Sequence, residues 1–132
     1  MQLKLLLLTV VVSMAWFNTA LAKGVQQEIK FKLGESSATI EGRVLRDDRD
    51  EYTLAAKAGQ VMSVSITAEE DNAVFQIYRK TNQGWKSLEG ADEDDDATEW
   101  EDKLLGKGVE RLKIVVGGTR GNATYTLEVA IE

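Results

Sequence analysis

The chain has 132 residues and a formal net charge of −6, and it contains no histidine, cysteine or proline. Without histidine and cysteine, neither Ser-His-Asp nor Cys-His catalysis can be assembled and the usual zinc ligands are missing, so we expect neither an enzyme nor a bound cofactor. The acidic balance argues against a nucleic-acid-binding protein, whose binding face is basic, and it favours encounter with cationic partners.

The N-terminal segment has the pattern of a cleaved secretory signal peptide over residues 1–22. Lys4 precedes an apolar run over residues 5–14, and Ala20-Leu21-Ala22 forms the small-x-small sequence that signal peptidases cut after. The apolar run is shorter than the about 20 residues that cross a bilayer, so we expect no membrane association after cleavage. An exported domain without disulfides is typical of a bacterial periplasm. The sequence therefore predicts one periplasmic domain over residues 23–132.

The remaining chain alternates apolar and polar residues in short runs, which is typical of half-buried β-strands. Such runs cover residues 38–44, 51–57, 61–66, 74–79, 112–116 and 124–131. Turn-forming residues separate them at 34–36, 47–50, 58–59, 82–84 and 117–118. This spacing predicts an all-β fold, an antiparallel β-sandwich of about seven short strands. From the phase of the alternation we expect these side chains to point inward: Tyr52, Val64, Ile66, Phe75, Ile77, Ile114 and Leu127.

Two further structural expectations follow from the same runs. The Ala58-Gly59 pair lies directly between two alternating segments, so we expect it to close a β-hairpin. Because the chain has no proline, charged side chains must protect the sheet edges. The candidates for that protection are Lys30, Lys32, Arg43 and Lys113.

The segment from residue 89 to residue 102 breaks the alternation, since nine of its fourteen residues are acidic. Oxygen ligands at this density can hold Ca²⁺, and Asp92, Asp94 and Asp96 are the candidate ligands, although their order is not that of an EF-hand loop. Two other interpretations remain open. The segment is a solvated loop kept extended by self-repulsion, or it is an electrostatic patch for a cationic protein.

Trp85 and Trp100 flank this acidic segment. Tryptophan at the margin of a loop is either an anchor for a partner protein or a plug at the end of a sandwich core. We favour the second interpretation, in which the indole N–H finds its acceptor at the rim of the core.

A motif over residues 31–66 carries a resemblance to a known family. It reads Phe-x-x-Gly-x-Ser-Ser-Ala from Phe31, then Tyr52-Thr53, Ala-Lys-x-Gly-Gln from Ala56, and Val64-Ser65-Ile66. This pattern resembles the periplasmic inhibitors of g-type lysozyme, which are small bacterial β-sandwiches. Pre-peptidase C-terminal domains share a looser form of it. Residues 112–120 are similar to the late strand of the inhibitor family and to its Thr-Arg loop.

The resemblance implies a protein that blocks the substrate cleft of a lysozyme with surface loops, the g-type enzyme being the expected target. In the family an arginine meets the catalytic carboxylates, and Arg120 occupies the matching position. Its loop also contains Thr119, Gly121 and Asn122. The second contact loop corresponds to Asp47, Asp48 and Arg49, and the family carries an aromatic residue in place of Asp47. For this function we expect no metal, since the chain lacks histidine and cysteine and shows no metal motif, and we expect a monomer or a homodimer.

A different class of function remains open. The chain could instead be a non-catalytic, calcium-stabilised binding or adhesion module of the bacterial envelope, similar to the pre-peptidase C-terminal domains. That alternative depends on the acidic segment, and it predicts that Asp92, Asp94 and Asp96 converge on one cation.

Overall fold

The computed structural model describes residues 24–132, so the expected signal peptide and its cleavage site lie outside the described residues. Over residues 24–132 the chain forms nine β-strands and no helix, and therefore no helix that could cross a membrane. The strands are β1 (Gln26–Glu28), β2 (Ser37–Val44), β3 (Asp50–Lys57), β4 (Val61–Ala68), β5 (Ala73–Thr81), β6 (Gly84–Ser87), β7 (Glu99–Lys103), β8 (Val109–Gly118) and β9 (Ala123–Ile131).

The strands form two sheets. The five-stranded sheet has the order β1-β3-β8-β5-β6, and the four-stranded sheet has the order β2-β9-β4-β7. The pairing of β1 with β3 is parallel, and the other pairings between these strands are antiparallel. The predicted all-β sandwich is therefore confirmed, with β1, β6 and β7 as short strands that the alternation did not identify.

The core lies between the inner faces of the two sheets. Strands β3 and β9 alternate between buried and less buried residues along their length, as expected for strands with one face on a core. The seven side chains expected to point inward are all buried, and Phe75, Ile77, Ile114 and Leu127 have no exposed surface. Burying a side chain of this size stabilises the fold by about 1.5–3 kcal/mol. The predicted register is confirmed.

The Ala58-Gly59 turn does not close a hairpin, so that prediction is wrong. Strand β3 belongs to the five-stranded sheet and β4 to the four-stranded sheet, and the turn crosses from one to the other. The turn is hydrogen-bonded to the segment between β7 and β8: Gly59 N–H donates to the Leu104 carbonyl and Ala58 N–H donates to the Gly108 carbonyl, both at 2.8 Å. A short turn sequence between two strands is compatible with a hairpin within one sheet and with a crossing between two sheets. Which of the two forms depends on the tertiary contacts of the turn.

Two other local expectations need correction. Gly117 and Gly118 lie inside β8 rather than in a turn. Lys113 lies on the same strand, at the centre of the five-stranded sheet, and cannot protect an edge. Arg43 does lie on an edge strand, β2, where its side chain is exposed.

A buried polar group connects the start of β3 to β9 in the opposite sheet. The Tyr125 hydroxyl donates to Asp50 Oδ2 at 2.6 Å and lies 2.6 Å from the Tyr52 hydroxyl. Asp50 is 1% exposed, and its Oδ1 accepts from the Val25 N–H at 2.8 Å. Buried polar groups are stable only when paired, and this group pairs both carboxylate oxygens of Asp50. These hydrogen bonds hold Asp50, the first residue of β3, where the loop from β2 joins the sheet.

Candidate functional site

The turn over residues 119–122 connects β8 to β9 and carries Arg120. Thr119, Arg120 and Asn122 are exposed, while Gly121 is half-buried with a φ of 71°. That φ lies in the left-handed region, which glycine adopts without strain. The Arg120 Nη2 group donates to the Glu70 carbonyl at 2.6 Å. The turn therefore presents an arginine whose guanidinium is already oriented by one backbone contact.

The side chain of Asn72 holds this turn from below. Asn72 is 2% exposed and precedes β5. Its Nδ2 donates to the Asn122 carbonyl at 2.9 Å and to the Arg120 carbonyl at 3.3 Å. Its own carbonyl accepts from the Thr119 N–H at 2.9 Å. The backbone of the turn is thus hydrogen-bonded to a buried residue of the loop between β4 and β5.

The loop over residues 45–49, between β2 and β3, lies beside this turn. Asn122 Oδ1 accepts from the Arg46 N–H at 2.8 Å, which ties the two loops directly. Asp47 has a φ of 65°, and the Asp48 N–H donates to the Leu45 carbonyl at 3.0 Å, closing the bend. The structure therefore brings the two loops named from the sequence to the same end of the sandwich.

Arg49 lies across the end of β8. Its Nη1 donates to the Asp48 carbonyl at 2.8 Å, and a Cβ placed on Gly117 would come within 2.9 Å of the guanidinium carbon. The glycine thus leaves room for the arginine to pack flat on the strand. Arg46, Arg49 and Arg120 are all exposed, so three guanidinium groups are available at this end of the molecule.

Part of the acidic segment lies at the same end. Glu93 and Asp96 line a shallow groove together with Arg49, Gly118 and Thr119. The segment is not a loop throughout: residues 99–103 form the edge strand β7, and Ala91 and Ala97 are buried in the core. The exposed carboxylates therefore sit on an anchored segment next to the arginines, which fits the electrostatic-patch interpretation.

The carboxylates of the acidic segment do not converge on a cation. Asp92 Oδ1 accepts from the Asp94 N–H at 2.8 Å, and Asp95 Oδ2 accepts from the Asp92 N–H at 2.9 Å. Across residues 24–132 no group of three acidic side chains is arranged to hold a metal ion. The calcium alternative built on Asp92, Asp94 and Asp96 is therefore not favoured.

The two tryptophans have different environments. Trp100 is half-buried against the core, and its Nε1 donates to the Glu89 carbonyl at 2.9 Å, as predicted for a core plug. Trp85 lies exposed on the edge strand β6, with Lys113 Nζ 4.6 Å and Lys80 Nζ 5.6 Å from its ring centroid. The core-plug prediction is wrong for Trp85, because its side chain faces outward beside these cations.

Sequence reasoning missed Asn72. Residues 69–72 read Glu-Glu-Asp-Asn, which indicates a polar connection between two strands and nothing more. Its burial and its contacts with the 119–122 turn depend on residues about fifty positions away. A polar residue directly before a strongly apolar strand was the available signal, and that signal is common to many strand starts.

No family model matches the chain. A curated relative, "Inhibitor of g-type lysozyme" from Escherichia coli (strain K12), is 40% identical over 52 residues, which are 39% of each chain. The solved structure of Aeromonas hydrophila PliG, a periplasmic inhibitor of g-type lysozyme, has a TM-score of 0.62 at 28% identity and covers 83% of this chain and 98% of that one. A mutant of the Escherichia coli inhibitor has a TM-score of 0.59 at 23% identity, covering 83% and 99%.

These comparisons confirm the resemblance that the motif over residues 31–66 indicated. The chain is similar in sequence and in fold to inhibitors of g-type lysozyme, and the solved Aeromonas hydrophila inhibitor is periplasmic, in agreement with the location predicted for this chain. The similar proteins are described as inhibitors, in agreement with a non-catalytic chain. The sequence match spans about two-fifths of the length of the curated relative, whereas the structural match spans nearly the whole of the solved inhibitor.

Proposed function

We propose that this protein inhibits a g-type lysozyme in the periplasm by placing the loops at one end of its sandwich in the substrate cleft of the enzyme. The observation that carries the proposal is the similarity to Aeromonas hydrophila PliG at 28% identity over 83% of the chain. The protein would act by steric occlusion, so it needs neither a nucleophile nor a metal.

The arginine-bearing loops supply the contact chemistry. A guanidinium is planar, always charged and carries five N–H donors, so it pairs with carboxylates in a two-point geometry. Arg120 donates from Nη2 to the Glu70 carbonyl, and within residues 24–132 its other N–H groups make no side-chain hydrogen bond, so they can meet carboxylates of the partner. Arg49 lies on the same end and offers a second guanidinium. Lysozyme clefts contain essential carboxylates, and these are the groups we expect the arginines to meet.

The acidic surface is expected to raise the rate at which the protein meets a cationic lysozyme. The full sequence has a net charge of −6, and loss of Lys4 with the signal peptide leaves the mature chain at −7. This charge attracts a cationic enzyme over a distance comparable with the Debye length, about 8–10 Å at moderate salt. Glu93 and Asp96 line the groove together with Arg49, so a basic rim around an acidic cleft would be complementary to this end of the molecule.

The first experiment measures inhibition itself. Clearing of a peptidoglycan suspension is followed with g-type, c-type and i-type lysozymes, each with and without the purified mature protein. We expect inhibition of the g-type enzyme at micromolar concentration or below. If none of the three enzymes is inhibited at micromolar concentration, the proposal is wrong.

The second experiment tests the arginine. Arg120→Ala should raise the Kd for the lysozyme by roughly 30-fold or more, because losing a charge-assisted pair at an interface costs about 2–5 kcal/mol. The matched control is Arg111→Ala, an exposed arginine near the start of β8, at the opposite end of that strand from the 119–122 turn. Both variants should unfold at the same urea concentration as the wild type. Equal Kd values for the two variants would remove Arg120 from the contact.

A further inference from the structure

We infer that Asn72 is the positioning residue of this site: its buried side-chain amide sets the conformation of the 119–122 turn and, through that turn, the place of the 45–49 loop. The inference rests on the proposed function, because it assigns to Asn72 a role in the affinity of the same site. Asn72 is 2% exposed and so cannot itself meet a partner. Any effect on binding must pass through the residues that it holds.

Both N–H bonds of the Asn72 side-chain amide donate to the turn. One Nδ2 group reaches the carbonyls of Arg120 and Asn122, two residues apart, which fixes the backbone on either side of Gly121. Without Asn72 these carbonyls would lose their donor, and Gly121, with its wide choice of φ, would leave the turn free to change shape. Among the described residues, no strand pairs with the turn and could replace these hydrogen bonds.

The connection that carries Asn72 also holds the tip of the Arg120 side chain. Glu70, two residues earlier, accepts the Arg120 Nη2 donor through its carbonyl at 2.6 Å. Between them Asp71 adopts a φ of 52°, and its N–H donates to the Ala68 carbonyl at 3.1 Å. This bend directs the Glu70 carbonyl and the Asn72 amide at the same arginine. Arg120 is therefore held at its backbone and at its guanidinium by one short connection.

The second loop depends on the same contacts. The Asn122 carbonyl is bound by Asn72, while the Asn122 side chain accepts from the Arg46 N–H. Asn72 thus connects the 119–122 turn to the 45–49 loop through one intermediate residue. A site ordered before binding loses less side-chain and loop freedom on association, so its affinity is higher for the same contacts.

The test is a double-mutant cycle on the Kd for the g-type lysozyme. Asn72→Ala is measured in the wild-type background and in the Arg120→Ala background. We expect it to raise Kd roughly 10-fold in the first and about threefold or less in the second, because residues that act through one contact are not additive. The matched control is Thr81→Val, which removes a side chain bonded to the Gln83 N–H and the Gly84 carbonyl in the β5–β6 turn. It should leave Kd unchanged in both backgrounds.

A second readout needs no lysozyme. Trypsin cleaves after arginine, and the Arg120–Gly121 bond becomes a substrate only when the turn opens. Asn72→Ala should speed cleavage at this bond several-fold, whereas Thr81→Val should not. If Asn72→Ala does not fold, Asn72→Asp replaces it, since the carboxylate keeps the shape but cannot donate.

The outcomes separate the two proposals. If the wild type binds no lysozyme, the proposed function fails, and the cleavage rates alone decide whether Asn72 holds the turn. If the wild type binds and Asn72→Ala binds equally well, the inference is overturned while the proposed function stands. An equal rise of Kd in both backgrounds would also overturn it, because Asn72 would then act independently of Arg120.

Discussion

The hydroxyl groups of Tyr52 and Tyr125 meet inside the core, and Tyr125 also donates to the Asp50 carboxylate. Burial raises the pKa of both tyrosines above the usual value of 10.0, and for Tyr125 the hydrogen bond to Asp50 raises it further. In the unfolded chain both phenols ionise near pH 10. Above that pH the folded chain binds more protons than the unfolded chain, so the free energy of unfolding falls as pH rises.

We therefore predict alkaline destabilisation that depends on Tyr125. Below about pH 9 both states keep their phenols protonated and the effect is absent; above pH 10 Tyr125, whose pKa is raised far above its usual value, contributes a slope approaching about 1.4 kcal/mol per pH unit, and Tyr52 adds to it in the same direction. Tyr125→Phe should lower stability at pH 7 by roughly 1–3 kcal/mol, since Asp50 loses a donor, and should also reduce the alkaline slope. Urea melts between pH 7 and pH 11 measure both. Identical slopes in the two proteins would contradict this account.

For individual residues of this chain, the sequence predicts burial in the core better than it predicts a place in the candidate site. Phase within an alternating run was enough to identify Phe75 and Ile114 as buried, because a strand side chain has only two faces to choose from. Arg120 was found through a family motif, and its placement on an exposed turn followed from the glycines around it. Asn72 could not be found in this way, since its partners come from a connection that is distant in sequence.

Among the elements, the acidic segment over residues 89–102 departs most from its sequence-based interpretation. The many acidic residues obscure a strand in this segment. Trp100 provides the inward side chain of β7, and Glu99 pairs with Ser65 of β4. The buried Ala91 and Ala97 hold the preceding residues on the five-stranded sheet, where Phe75 bridges Ala97. Small alanines between acids are a weak apolar signal, so the anchoring was not predictable from composition.

We predict that this segment affects the rate of encounter rather than the lifetime of the complex. Asp94 is exposed beside the groove that Glu93 and Asp96 line. Asp94→Asn should lower the association rate and weaken its dependence on salt, with little change in the dissociation rate. The control is Glu132→Gln, an exposed acid just beyond the far end of β9. Stopped-flow binding at several salt concentrations gives both rates, and a change confined to the dissociation rate would refute the prediction.

For the whole molecule, the N-terminal residues of the described chain are part of the fold. Val25 N–H donates to Asp50 Oδ1 and the Val25 carbonyl accepts from the Glu51 N–H, while Gly24 lies against the Arg49 carbonyl. A Cβ on Gly24 would overlap that carbonyl, so this residue has no room for a side chain. The hydrogen-bonded structure of residues 24–132 thus reaches to within two residues of the expected cleavage site.

We predict that the protein isolated from the periplasm begins at Lys23. Cleavage after Ala22 leaves Gly24 and Val25 free to occupy these positions, and N-terminal sequencing of the envelope fraction checks it. A matched Ala22→Arg precursor should be processed poorly and remain with the membrane. Finding Met1 at the N-terminus of the soluble wild-type protein would show that the segment is not removed.

The strand order has a consequence for the timing of folding. Strand β8 lies at the centre of the five-stranded sheet and β9 is an interior strand of the other, and both follow the other described strands in the sequence. Strand β2 pairs with β9 along its whole length. Neither sheet can be completed until residues 109–131 are available; before that, a growing chain can form the β1–β3, β4–β7 and β5–β6 pairings alone among those described. Such non-local pairing delays completion of the fold until residues 109–131 have been made. A chain that stays unfolded until then remains threadable, which is the state in which a polypeptide passes through a narrow export channel.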